Sequence, residues 1–123
     1  MKIEVSNGEL LDKLSILEIK REKIKDDAKL DNINGEYDLI KPLANNLVIS
    51  VKQLYESLLK INLALWEIED TIRNFEQKQD FGQEFIQTAR SVYVLNDERA
   101  KIKKEINRIT NSGISEEKSY ASY

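Results

Sequence analysis

Between Leu47 and Phe75, apolar residues return in alternating steps of four and three: Leu47, Val51, Leu54, Leu58, Ile61, Leu65, Ile68, Ile72 and Phe75. That is one face of an α-helix, sustained for four heptads with neither glycine nor proline inside it. At 1.5 Å per residue such a helix is roughly 43 Å long. A chain of 123 residues must then lay its remaining helices along it. The pattern predicts a long central helix over Leu47–Lys78.

The rest of the composition agrees with a helical, folded domain. The chain has 41% hydrophobic and 33% charged residues with one proline and four glycines, which disfavours disorder. Nineteen basic against 22 acidic residues give a net charge of −3, so no basic face recommends nucleic acid as a partner. The most basic run, Arg99–Arg108, is diluted by Glu105. There is no cysteine, which removes disulfides and thiolate metal sites, and no histidine, which removes the commonest general base and metal ligand. Any metal would be a hard cation such as Mg²⁺ on carboxylates. No apolar run reaches membrane-spanning length and Met1–Glu9 is no signal peptide. A cytoplasmic protein without a membrane partner is expected.

In chain order, Met1–Val5 alternates apolar and charged residues and reads as a short extended arm over residues 1–6. Ser6-Asn7-Gly8-Glu9 is a capping box, with the hydroxyl accepting from the Glu9 amide and the Glu9 carboxylate reaching back to the Ser6 amide. The first helix is expected to run from Asn7 to about Asp26. Its main stripe is Leu10, Leu14, Leu17, Ile24 and Ala28, while Ile16 and Ile19 lie on nearly the opposite side. A helix apolar on two sides is sandwiched, inside the monomer or against a second copy. A homodimer is expected on this ground. A short second helix over Asp31–Ile40 should end at a break around Pro42–Asn46. After Asp80-Phe81-Gly82, a fourth helix over Gln83–Thr110 carries Phe85, Ala89, Val92, Leu95, Ile102, Ile106 and Ile109. Asn111-Ser112-Gly113 should stop it, with glycine taking a left-handed backbone. A tail follows, within residues 111–123.

The candidate site lies where charge interrupts these stripes. At 100° per residue, Arg21 falls in the middle of the first helix's apolar face, and Arg99 equally centrally on the last, with Asn96 and Lys103 at its edge. Glu69 falls on the inner side of the central helix beside Arg73, flanked by Asn62 and Trp66. A charge buried alone costs several kcal/mol, so these groups should meet each other or a ligand. The spacing predicts that Arg21 and Arg99 converge on Glu69. One outcome is a buried ion pair that only fixes helix or dimer register. The other is an arginine-lined anion pocket with Trp66 and Tyr93 as flat walls. A separate reading uses the pairs Glu9/Asp12 and Glu67/Asp70. One turn apart, two carboxylates can share a Mg²⁺, which makes Glu67, Glu69 and Asp70 an alternative metal set for a nucleotide or sugar-phosphate enzyme.

The strings SNGELLDKLSILEIKREKI, LWEIEDTIR, DFGQEFIQTARSVYVLNDERAKIKKEIN and EEKSYASY resemble, in that order, a family of small bacterial and phage proteins of unknown function. The resemblance implies a compact helical domain with no established activity and no catalytic residues to carry over. It also implies a setting among genes of surface-sugar chemistry. Residues and resemblance together predict one all-α domain over residues 1–123, a four-helix bundle with a long central helix. A binding or accessory protein without a catalytic cofactor fits best, meeting a protein partner or a small anionic ligand. The Mg²⁺-dependent enzyme and the purely structural cluster are the alternatives.

Overall fold

The structure, a computed structural model, describes residues 1–123 and consists of four helices with no strand: α1 (Asn7–Lys23), α2 (Asp27–Ser50), α3 (Lys52–Gln77) and α4 (Gln83–Ile109). Residues 1–6 and those after α4 carry no regular secondary structure. No helix is long and apolar enough to cross a membrane.

Each boundary has a local cause. Ser6 caps α1, its Oγ accepting from the Glu9 amide at 3.1 Å. The expected return bond from Glu9 does not form, because the Glu9 carboxylate accepts from Lys103 on α4 instead. α1 stops at Lys23, three residues earlier than expected, because Ile24 turns extended and Asp26 caps the next helix by accepting from the Lys29 amide. The ends of α3 and α4 are alike. Gln79 (φ 53°) and Asn111 (φ 55°) take the left-handed backbone, and the Asp80 and Ser112 amides donate back to Phe75 and Asn107. This is the usual closure of orphan carbonyls. Asn111, not Gly113, is the left-handed residue that ends α4.

The second helix and the spine differ most from expectation. α2 is not a short Asp31–Ile40 helix, and Pro42 does not break it: the helix runs through Pro42 to Ser50. The break falls at Val51, whose backbone (φ −127°, ψ 40°) leaves the helical region for a single residue. The helix predicted over Leu47–Lys78 is therefore divided, with Leu47 to Ser50 belonging to α2. Proline removes one backbone donor and crowds one carbonyl. Pro42 lies on the exposed side of α2, where the chain can bow away to accommodate it.

The element the others are arranged around is α1. It packs against α2, α3 and α4, whereas α2 barely meets α3 and does not pack on α4. Of the 15 buried residues, seven lie on this shortest helix: Gly8, Leu11, Asp12, Leu14, Ser15, Leu17 and Ile19. The main core joins Leu11 and Leu14 to Ala44, Val51, Tyr55, Leu58 and Ile106, at the end where α1 begins and α4 finishes. The two apolar sides of α1 are thus both used inside the monomer. Ile19 is buried and Ile16 half-buried, so this helix supplies no ground for a dimer.

Candidate functional site

Apart from Tyr55, whose hydroxyl is buried without a hydrogen-bond partner, the polar side chains that reach the interior form one network across α1, α3 and α4. Asn62 of α3 is its node. Its amide nitrogen donates to Asp12 Oδ1 at 2.8 Å and to Ser15 Oγ at 2.7 Å, and its oxygen accepts from Arg99 Nη1 at 3.0 Å. Arg99 Nη2 donates to Asn96 Oδ1 at 2.7 Å, and the Ser15 hydroxyl donates to the Asp12 carbonyl. A second strand of the network centres on Lys103. Its ammonium lies 2.6 Å from Glu9, 3.2 Å from Glu116 and 4.0 Å from Asp12. Just below it, α1 and α4 come very close. The Gly8 amide donates to Asn107 Oδ1 at 2.7 Å, and a Cβ on Gly8 would stand 2.6 Å from the Lys103 carbonyl oxygen. Glycine is needed there because any side chain would push the two helices apart.

The electrostatics follow from these partners. The Lys103 hydrogen bond holds Glu9 below its ordinary carboxylate range, against the opposing effect of burial. Burial by itself would lower the Lys103 pKa, but the hydrogen bonds to Glu9 and Glu116 outweigh it and the net shift is upward. The ammonium occupies the position between Glu9 and Asp12 where the sequence had allowed a shared cation.

Arg99 is treated differently. Two of its five N–H groups go to neutral amides, and no carboxylate lies within 4.0 Å of it. It forms the floor shared by two openings. A small cavity of about 110 Å³ lies between Arg99, Lys103, Asn107, Glu116 and Lys118. A larger cleft of about 640 Å³ is walled by Tyr93, Asn96 and Asp97 of α4 and by Lys118, Tyr120 and Tyr123 of the tail. The tail is tied down by Glu116 on Lys103, by Glu117 on Lys104 at 2.9 Å, and by Tyr123 set edge-on to Tyr93 with ring centres 5.2 Å apart. The Asp97 carboxylate beside the Tyr123 hydroxyl raises that hydroxyl's pKa. Lys118 has no acidic partner within 4.0 Å, and its ammonium stands 5.6 Å from the Tyr120 ring. Two cations without an acidic partner and three flat rings around one cleft are a chemistry of anion and ring recognition.

The residues singled out in the sequence are only partly brought together. Asn62, Asn96 and Arg99 converge, and Tyr93 lines the cleft they open on. Arg21 and Glu69 do not join them, which corrects the expected convergence. Arg21 is exposed, donates to Asn34 at 2.9 Å and lies 4.0 Å over the Tyr37 ring, so it serves the α1–α2 contact. Glu69 is exposed and pairs with Arg73 one turn along α3, at 2.8 Å. Trp66 is half-buried on α3 and is not among the walls of the cleft. Glu67, Glu69 and Asp70 all face outward, and no three acidic side chains stand close enough to hold a metal ion. Ser15 was not singled out, and Asp12 was read as half of a Mg²⁺-binding pair with Glu9, not as the partner of Asn62. Asp12 had a legible signal, because it precedes Ile16 by four and Ile19 by seven and so shares the second inner face of α1.

A family model described as a family of unknown function, DUF6165, matches residues 1–123. The chain belongs to the DUF6165 family. The match covers the whole chain, the tail that closes the cleft included. No curated protein and no solved structure matches it.

Proposed function

We propose that this DUF6165 protein is a binding protein that takes a small anion carrying a planar or sugar ring into the cleft between α4 and the tail. The observation that carries the reading is Arg99, oriented by two neutral amides with no carboxylate on it, at the base of a cleft that also holds Lys118. A guanidinium so placed keeps its remaining N–H groups for a bidentate contact with phosphate or carboxylate. Tyr93, Tyr120 and Tyr123 offer faces and edges to a ring, and a volume of about 640 Å³ suits a ligand of nucleotide size. Asn62 and Asn96 hold the guanidinium in place, and Lys103 ties the tail to the bundle. The Mg²⁺-dependent alternative gets no support from the outward placement of Glu67, Glu69 and Asp70.

The test is a thermal-shift screen against nucleotides, sugar-nucleotides, sugar phosphates and small carboxylates, each with Mg²⁺ and with chelator. A ligand at 100 times its dissociation constant adds about 2.7 kcal/mol, which is a rise of several degrees for a domain of this size. Arg99→Met and Lys118→Met should each remove the rise without removing helical circular dichroism. Lys118 is an exposed tail residue whose loss leaves the bundle untouched. A rise retained in both variants, or no rise with any compound, overturns the reading. A rise lost in chelator would return weight to the metal-dependent enzyme.

A further inference from the structure

We propose that the anion bound at Arg99 is a diphosphate, an inference that rests on the cleft being a site for an anion and a ring. Its second phosphate enters the small cavity beside the cleft and takes the place of the Glu116 carboxylate on Lys103. Arg99 and Lys118 line both openings, so cations stand where the two spaces meet. The small cavity adds Lys103, Lys104 and Asn107. Along α4, Arg99, Lys103 and Asn107 follow one another in steps of four residues, about 6 Å each, and so form a row on one face.

This row already holds an anionic group. The Glu116 carboxylate lies in the cavity, 3.2 Å from the Lys103 ammonium. Lys103 does not depend on it, because Glu9 holds the same ammonium at 2.6 Å and Asp12 stands 4.0 Å away. Neither Glu9 nor Asp12 lines the cavity, so neither carboxylate opposes an incoming phosphate there. Glu116 is free to leave. The tail beyond Ser112 makes no backbone–backbone hydrogen bond, and the Glu116 side chain is 55% exposed and can swing into water. Asn107 also waits for an acceptor. It is 6% exposed, its oxygen is taken by the Gly8 amide, and its amide nitrogen donates to no protein group although the residue lines the cavity. A covered donor calls for a partner. The donors favour phosphate over carboxylate: Arg99, Lys103, Lys104 and Lys118 surround the cavity, more than the two oxygens of a carboxylate can serve. A terminal phosphate offers three strong acceptors. A monophosphate held at Arg99 leaves the row beyond it to Glu116, whereas a diphosphate extends along it.

The test uses inorganic phosphate and inorganic pyrophosphate, titrated at constant ionic strength into the full chain and followed by NMR of the amide groups. Pyrophosphate should bind more tightly than phosphate by about tenfold or more. It should shift the side-chain amide of Asn107 together with the backbone amides of Arg99, Lys103 and Glu116. Pyrophosphate carries more charge and favours any basic surface, so two variants that each remove one negative charge separate the cavity from the general field. Glu116→Gln should tighten pyrophosphate by about threefold or more. Glu98→Gln, exposed on α4 and lining neither opening, should leave it unchanged. Equal affinity for the two anions, a response to Glu116→Gln no larger than to Glu98→Gln, or no shift with either anion up to about 10 mM overturns the proposal. The reading of the cleft fails separately, in the ligand screen. A ring compound whose thermal rise is lost in Arg99→Met, without any preference for pyrophosphate over phosphate, keeps the cleft and overturns the second phosphate site alone.

Discussion

Asn62 is the side chain on which the contact of three helices turns. It uses both amide donors and its oxygen at once, on Asp12, Ser15 and Arg99, and is 5% exposed. Asn62→Leu fits the volume but leaves a carboxylate, a hydroxyl and a guanidinium without their partner. Such groups cost about 1–3 kcal/mol each when a buried partner is lost, more when charged, so we expect destabilisation by about 3 kcal/mol. The urea midpoint should fall with the slope unchanged; an unaltered midpoint would show that the network adds nothing to stability. At this scale the sequence was half legible. Arg21 and Arg99 interrupt their stripes equally well, but Arg21 sits in the last turn of α1, where a long side chain can swing out over Tyr37. Arg99 lies between α3 and α4, and Asn62 and Asn96 stand ready to receive it. Projection on a wheel gives direction and says nothing of depth.

Among the elements, α2 and α3 were the least legible. The stripe from Leu47 onward keeps its four–three spacing straight through the break at Val51, because only one residue departs from helical backbone. Val51 remains buried in the core on either account. Spacing reports which residues face inward and is indifferent to a one-residue break. Pro42 misled in the opposite direction, since at an exposed site the helix continues through it. Its missing N–H still costs a helical hydrogen bond. Pro42→Ala should raise stability by about 1 kcal/mol or more, seen as a thermal midpoint several degrees higher. A lowered midpoint would mean that the proline itself is required for α2 to meet α1.

For the whole molecule, α1 and the Lys103 network decide how the parts hold together, since Lys103 joins α1, α4 and the tail. This gives stability a defined dependence on pH. Glu9 titrates below its ordinary value of 4.5, so its contribution is complete above 4.5 and is lost as pH falls through the lowered value. Lys103 titrates above its ordinary 10.5, so its contribution is complete below 10.5 and is lost as pH climbs through the raised value. Between the two, this pair adds no slope. Urea midpoints against pH should therefore fall more steeply on the acid side for the native chain than for Glu9→Gln. Parallel acid limbs would remove Glu9 from the account.

The sequence by itself determined the helical class, the number of helices, the cap at Ser6, and the presence of polar groups on inward faces. All of these depend on spacing along one chain, and helical periodicity is a local property. Which helix lies at the centre, which of the inward charges meet, and that the tail closes a cleft over Arg99 were decided only by tertiary structure. Those outcomes depend on how far one helix extends past another. The 17 residues of α1 reach the level of Asn62 and Arg99 with both faces covered, and its last turn leaves Arg21 at the surface. Burial and partnering are properties of that overlap, and no single stripe contains them.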